Sequence, residues 1–151
     1  MKNKLLLMML TILGTPAVAY SYSNDLAAAE YNFAVNELSK SSYNQAAIIG
    51  QYGSNNRAIT RQDGHKLQTV VIQNGNGNRA NVDQSGNYNL AYVSQDGFSN
   101  DADIQQNGFG NSAVVIQKGS NNRANVTQYG TQKTAVVVQK NSFMNIRVTQ
   151  R

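Results

Sequence analysis

The chain has 151 residues, no Cys, no Trp and a single His, so thiol chemistry, disulfides and multi-histidine metal sites are excluded. Only 14% of residues are charged, and Asn, Gln, Gly and Ser fill much of the rest, a low-complexity balance rather than that of a mixed globular surface. The formal charge of +5 is too mild for a nucleic-acid partner, which calls for clustered basic residues interleaved with aromatics.

The first element is a signal peptide, residues 1–19. Lys2 and Lys4 precede an apolar run over 5–13, then Pro16 and the small-x-small triplet Ala17, Val18, Ala19, so cleavage is expected after Ala19. The run falls short of the roughly 20 apolar residues that span a bilayer, and the mature chain is expected to be soluble and outside the inner membrane. Loss of the two lysines lowers the charge by two, to +3. Residues 20–44 form a non-core N-terminal segment, with a weak helix over 25–40 that is marginal in isolation at that length.

From residue 45 the chain is a repeat. Gln recurs every 11 residues, at Gln51, Gln62, Gln73, Gln84, Gln95, Gln106, Gln117, Gln128, Gln139 and Gln150, and eight of these have Gly two places later. Every second unit adds Asn56, Asn78, Asn100 or Asn122, followed two places on by Ala58, Ala80, Ala102 or Ala124, so the true unit is 22 residues. An 11-residue period also suits a right-handed coiled coil. Gly in each unit would cost such a helix about 1 kcal/mol apiece, and the other positions are rich in Val, Ile, Thr and Asn. The units read instead as a seven-residue strand plus a four-residue turn, with Gly supplying the positive φ of the turn.

The fold class expected is therefore all-β: an amyloid-like β-solenoid of five strand-turn-strand coils at 45–66, 67–88, 89–110, 111–132 and 133–151. Side chains alternate between faces, which puts Asn122, Ala124, Val126 and Gln128 inside and Arg123, Asn125 and Thr127 outside. An inner face holding so many amides is no ordinary core, since each buried amide without partners costs roughly 1–3 kcal/mol. Stacking coil on coil resolves this, because like amides about 4.8 Å apart hydrogen-bond along the stack. On the outside, first strands carry an apolar column of Ile48, Val70, Tyr92, Val114 and Val136, and second strands carry Arg57, Arg79, Asp101 and Arg123. Asp101 separates like charges there, and Asp83 faces Arg61. One outer face should be sticky, the other wet.

Three chemical sites are considered and set aside. His65 near Asp63 lacks the second His or Cys of a metal site. Asp101 and Asp103 resemble a glycosidase carboxylate pair, but their column holds arginines and implies no cleft. Asn125 opens a glycan acceptor triplet whose members the period already explains. No catalytic residue, metal or cofactor is expected, and the chain is not expected to be an enzyme.

The recurring Gln-x-Gly-x-x-Asn-x-Ala-x-x-x-Gln unit resembles the curlin family of bacterial extracellular functional amyloids. Residues 30–42 and 128–135 resemble that family's nucleating branch, and the Gly/His-rich leader of its fibre-forming major branch is missing. The resemblance implies export of an unfolded chain through the inner membrane and then a dedicated outer-membrane pore with accessory factors. It further implies self-association, tethering at the cell surface in an extracellular fimbrium, and templating of the major curlin subunit for adhesion and biofilm. It also implies that the export machinery reads residues 20–42. The alternatives are a fibre subunit that does not nucleate and a monomeric solenoid that binds a ligand on a flat face.

Coil five departs from the unit: Asn141 replaces the turn Gly, Met144 the Asn and Ile146 the Ala, while Lys133 sits on the inward face. All eight acidic residues lie at or before Asp103, whereas Lys118, Arg123, Lys133, Lys140, Arg147 and Arg151 follow. Lys133, Lys140, Arg147 and Arg151 are the expected surface-anchoring residues, with an end cap as the other reading of this coil.

Overall fold

The computed structural model describes the backbone of residues 17–20 and the whole of residues 44–151. The bulk of the expected signal peptide, residues 21–43 and the weak helix over 25–40 lie outside the described residues. Eleven strands are described: β1 Ala17–Tyr20, β2 Gln45–Ser54, β3 Arg57–His65, β4 Leu67–Asn76, β5 Arg79–Asn87, β6 Leu90–Phe98, β7 Asp101–Phe109, β8 Ser112–Ser120, β9 Arg123–Thr131, β10 Thr134–Gln139 and β11 Asn145–Gln150.

The even strands form one sheet, β1-β2-β4-β6-β8-β10, and the odd strands the other, β11-β9-β7-β5-β3. From β2 onward each strand pairs in parallel with the strand one coil later, so Gln51 lies on Gln73, Ala80 on Ala102 and Val126 on Val148. The result is a parallel β-solenoid of about five turns. β1 is added at the first-coil end, Ala17 to Tyr20 lying on Ala47 to Gly50, and so crosses the expected cleavage point between Ala19 and Tyr20.

Between the sheets lies a narrow core of one small and one branched residue per strand. Ala80, Val82, Ala91, Val93, Ala102, Ile104, Ala113 and Val115 are fully buried, with Ile146 and Val148 of coil five packed against the same cluster. Each buried Val or Ile contributes about 1.5–3 kcal/mol. The irregular coil five is thus still seated in register, with Ile146 on Ala124 and Val148 on Val126.

The strands exceed the expected seven residues: those of coils two to four have nine or ten. Ser85, Gly86 and Asn87, expected in a turn, pair with Asn107, Gly108 and Phe109. Glycine makes this possible. Gly86 has φ 98°, and a Cβ there would fall on the carbonyl oxygen of Gly108, so only a glycine column lets the backbone bend while neighbouring coils stay bonded. Asn141 lacks this freedom, and β10 stops at Gln139. A second positive φ, two residues after each glycine position, falls mostly on other residues: Asn55, Lys66, Tyr88, Ser99, Asn121, Gln132 and Phe143.

The first sheet's outer column is not uniformly exposed. Val136 is 62% exposed, but Val70 and Tyr92 are only 1% and 7% exposed. They belong to a second apolar cluster with Ala46, Ile48, Ile72, Val114 and Ile116. The sticky face expected from the sequence is thus confined to the late coils, where Val136 and Val138 remain exposed.

Candidate functional site: amide ladders and the ends of the stack

The alternation of β-strands sends every second side chain into the gap between the sheets, which places one glutamine per strand in line with the next. In the first sheet Gln51 Nε2 donates to Gln73 Oε1 (2.6 Å), Gln73 to Gln95 (2.7 Å), Gln95 to Gln117 (2.8 Å) and Gln117 to Gln139 (2.8 Å). The second sheet repeats this through Gln62, Gln84, Gln106, Gln128 and Gln150 at 2.8–3.0 Å. The other Nε2 proton crosses to a backbone carbonyl of the opposite sheet: Gln73 to Arg57 (3.1 Å), Gln95 to Arg79 (2.7 Å), Gln106 to Leu90 (3.0 Å). Each inner glutamine therefore ties a strand to its neighbour in the stack and to the facing sheet. With both protons and the oxygen engaged, burial at 0–1% exposure carries no unpaired-group penalty.

The asparagines close the turns. Asn78 Nδ2 donates to Asn74 O (3.1 Å) within its own turn and to Gly97 O (3.0 Å) of the next coil. Its Oδ1 accepts the backbone N–H of Asn100 (3.0 Å). Asn56 and Asn100 do likewise for Asn78 and Asn122. Two further residues join this scheme: Asn111 N donates to Asn89 Oδ1 (2.9 Å), and Asn89 Nδ2 to Ser85 O (2.8 Å). The sequence carried a signal for them, since each precedes a ladder glutamine by six residues, as Asn78 precedes Gln84. In coils one, two and five that place holds Gln45, Leu67 and Lys133, so the column looks irregular.

Among the side chains weighed as chemical sites, Asp101 and Arg123 form an ion pair at 3.4 Å across coils. Asp103 is held between Asn81 (3.0 Å) and Asn125 (3.3 Å). These carboxylates bridge coils. Among the described residues no group of three His, Asp or Glu side chains is placed to hold a metal ion.

The four C-terminal cations all sit on coil five. Lys133 starts coil five, half-buried, its N–H donating to Asn111 Oδ1 (3.0 Å). Lys140 follows β10, Arg147 occupies the middle of the outer face of β11, and Arg151 follows that strand; all three are exposed.

Parallel strands stacked in strict register and zipped by continuous amide ladders define a class, the amyloid-like β-solenoids. Within it, residues 75–106 and 97–130 match the curlin associated repeat. The chain is 70% identical over 67 residues to the minor curlin subunit of Salmonella typhimurium and 72% identical over 67 residues to that of Escherichia coli K12. In both cases the match covers 44% of this chain and 44% of the relative, so it spans less than half the length of these relatives. No solved structure matches. The chain carries curlin repeats and resembles the minor curlin subunits.

Proposed function

We propose that the chain is a curlin subunit of the cell surface whose role is to nucleate fibres, by offering a stack edge on which a major curlin subunit adds its own coils. The observation that carries this reading is the 22-residue register. Every coil bonds to the next through the same backbone pairs and the same glutamines, so a coil from another chain can extend the stack as an internal one does. Open strand edges act as templates for this kind of addition. The relatives' designation as minor curlin subunits supports the nucleating role over that of a bulk fibre subunit. The role requires no catalysis, and no cofactor enters it.

Coil five is the proposed point of attachment to the outer-membrane surface. Each basic residue near an anionic membrane contributes on the order of 1 kcal/mol, and Lys140, Arg147 and Arg151 are exposed to supply it. Passage through the curli export pore is part of the same reading and follows the resemblance of the N-terminal residues. A polymerisation assay tests the nucleating role: substoichiometric amounts of the chain should shorten the lag phase of a purified major curlin subunit. An unchanged lag would refute it.

A further inference from the structure

The ladders have a direction. In every glutamine pair the earlier coil donates through Nε2 and the later coil accepts through Oε1. Backbone groups are sorted in the same way. Outward residues spend their N–H on the following coil, as in Arg57 N to Asn78 O and Asp101 N to Asn122 O, both 2.8 Å. Inward residues spend theirs on the preceding coil, as in Asn78 N to Asn56 Oδ1 (3.0 Å). The two ends of the stack are therefore chemically different.

At the first-coil end the pattern is left unfinished. Gln62 Oε1 is buried and has no hydrogen-bond partner, though the equivalent oxygen of Gln84, Gln106, Gln128 and Gln150 accepts from the coil before it. By the sorting above, Ala58, Thr60 and Gln62 aim their peptide groups out of β3, which among the described residues is the terminal strand of its sheet. At the coil-five end the pattern is closed in one ladder: Gln139 Nε2 makes the usual crossing bond to Arg123 O (3.0 Å) and turns its other proton onto Met144 O (3.1 Å), whereas Gln150 Nε2 has, among the described residues, only the crossing bond to Thr134 O (3.0 Å). Met144 and Lys133 donate their backbone N–H groups to the last Asn Oδ1 acceptors, those of Asn122 and Asn111, but carry no Oδ1 of their own to offer a further coil.

We propose that the chain is joined at its first-coil face, by the last coil of a different curlin-repeat chain that stacks in parallel and brings Gln Nε2 donors to Gln51 and Gln62. This deepens the nucleator reading and rests on it. A second copy of this chain is the poorer occupant, because its coil five brings the Gln150 donor alone, Gln139 being turned onto Met144 O, and has Met144 and Lys133 where other coils present Asn Oδ1 acceptors. β1 covers only Ala47 to Gly50 of the neighbouring strand, and it shares that edge with the incoming coil. Removal of residues 1–19 clears most of it.

Two proline variants separate the faces, because each deletes one N–H aimed out of the stack and no hydrogen bond among the described residues. Thr60→Pro blocks the first-coil edge and Thr149→Pro the coil-five edge. They are prepared in the chain starting at Tyr20 and checked for strand content by circular dichroism. Thr60→Pro should return the lag of a major curlin subunit most of the way to the unseeded value, and Thr149→Pro should leave it within about twofold of the unsubstituted seed. A second readout avoids any folding defect. Arg57→Cys and Asn145→Cys stand at the two ends of one outward column, and a short bismaleimide should link Arg57→Cys alone to a major subunit bearing Cys in the same column of its last coil. Loss of seeding only in Thr149→Pro, equal loss in both, or cross-linking through Asn145→Cys would overturn the assigned direction while leaving nucleation intact. Cross-linking of Arg57→Cys to another copy of this chain, rather than to the major subunit, would overturn the assigned occupant. A seed that fails before any substitution removes both the inference and the reading beneath it.

Discussion

Adjacent residues Gln105 and Gln106 allow the same substitution to be made on both sides of one strand. Gln106 is 1% exposed; its Oε1 accepts from Gln84 Nε2 (2.8 Å), and its Nε2 donates to Gln128 Oε1 (2.8 Å) and Leu90 O (3.0 Å). Gln106→Leu would leave a Gln84 proton and the Gln128 oxygen buried without partners, at about 1–3 kcal/mol each, against which the added apolar burial returns about 1 kcal/mol. A net loss of about 3 kcal/mol, divided by a urea slope of about 2 kcal/mol/M, lowers the unfolding midpoint by about 1.5 M. Gln105 is exposed, and its one described side-chain bond is a 3.4 Å contact from Tyr129 Oη. Gln105→Leu should therefore shift stability by no more than about 0.5 kcal/mol. The assay is urea unfolding of the monomer followed by circular dichroism, with seeding lag measured in parallel. Equal midpoints for the two variants, or a larger drop for Gln105→Leu, would refute the ladder as the source of stability.

Thr60 occupies a column otherwise held by Val82, Ile104, Val126 and Val148, and its Oγ1 is buried without a partner. Thr60→Val should raise the calorimetric melting temperature, by about 1 kcal/mol of stability, and a lower value would contradict the burial. Gly86→Ala drives a Cβ into Gly108, whereas Gly77→Ala meets only Ser99 Oγ at 3.4 Å. The first should abolish or severely weaken folding and the second should cost about 1 kcal/mol for its positive φ, with similar melting curves counting against the glycine column. A chain ending at Gln132 should still be exported and still seed, but appear in the medium rather than on cells, and high salt should partly release the intact protein. Normal retention of the shortened chain would make coil five an end cap and place the anchor elsewhere.

The fold was legible because the glutamine period never slips: a repeat whose inner positions recur at fixed spacing has one register in which they meet. What stayed hidden depended on local backbone and lateral packing. Lys66, Tyr88 and Phe143 adopt positive φ though nothing in their side chains favours it. The stack imposes the angle on whatever residue holds the place. The strands run past seven residues because Gly, which in a single chain segment signals a turn that ends pairing, both bends and pairs when it stands in a column of glycines. The burial of Val70 and Tyr92 depends on an outer cluster that the alternation of faces cannot show. Asn89 and Asn111 were masked by the irregular residues that share their column.

The most direct test of the central claim is a distance across the whole stack. Arg57 and Asn145 stand at opposite ends of one outward column that runs through Arg79, Asp101 and Arg123. Four steps of about 4.8 Å separate their backbones by about 19 Å. Pulsed electron resonance between nitroxides on Arg57→Cys and Asn145→Cys should give a narrow distribution near that value, widened only by the label arms. A broad distribution centred on the order of 50 Å, the span of a flexible chain of that length, would contradict the stacked coils and everything built on them.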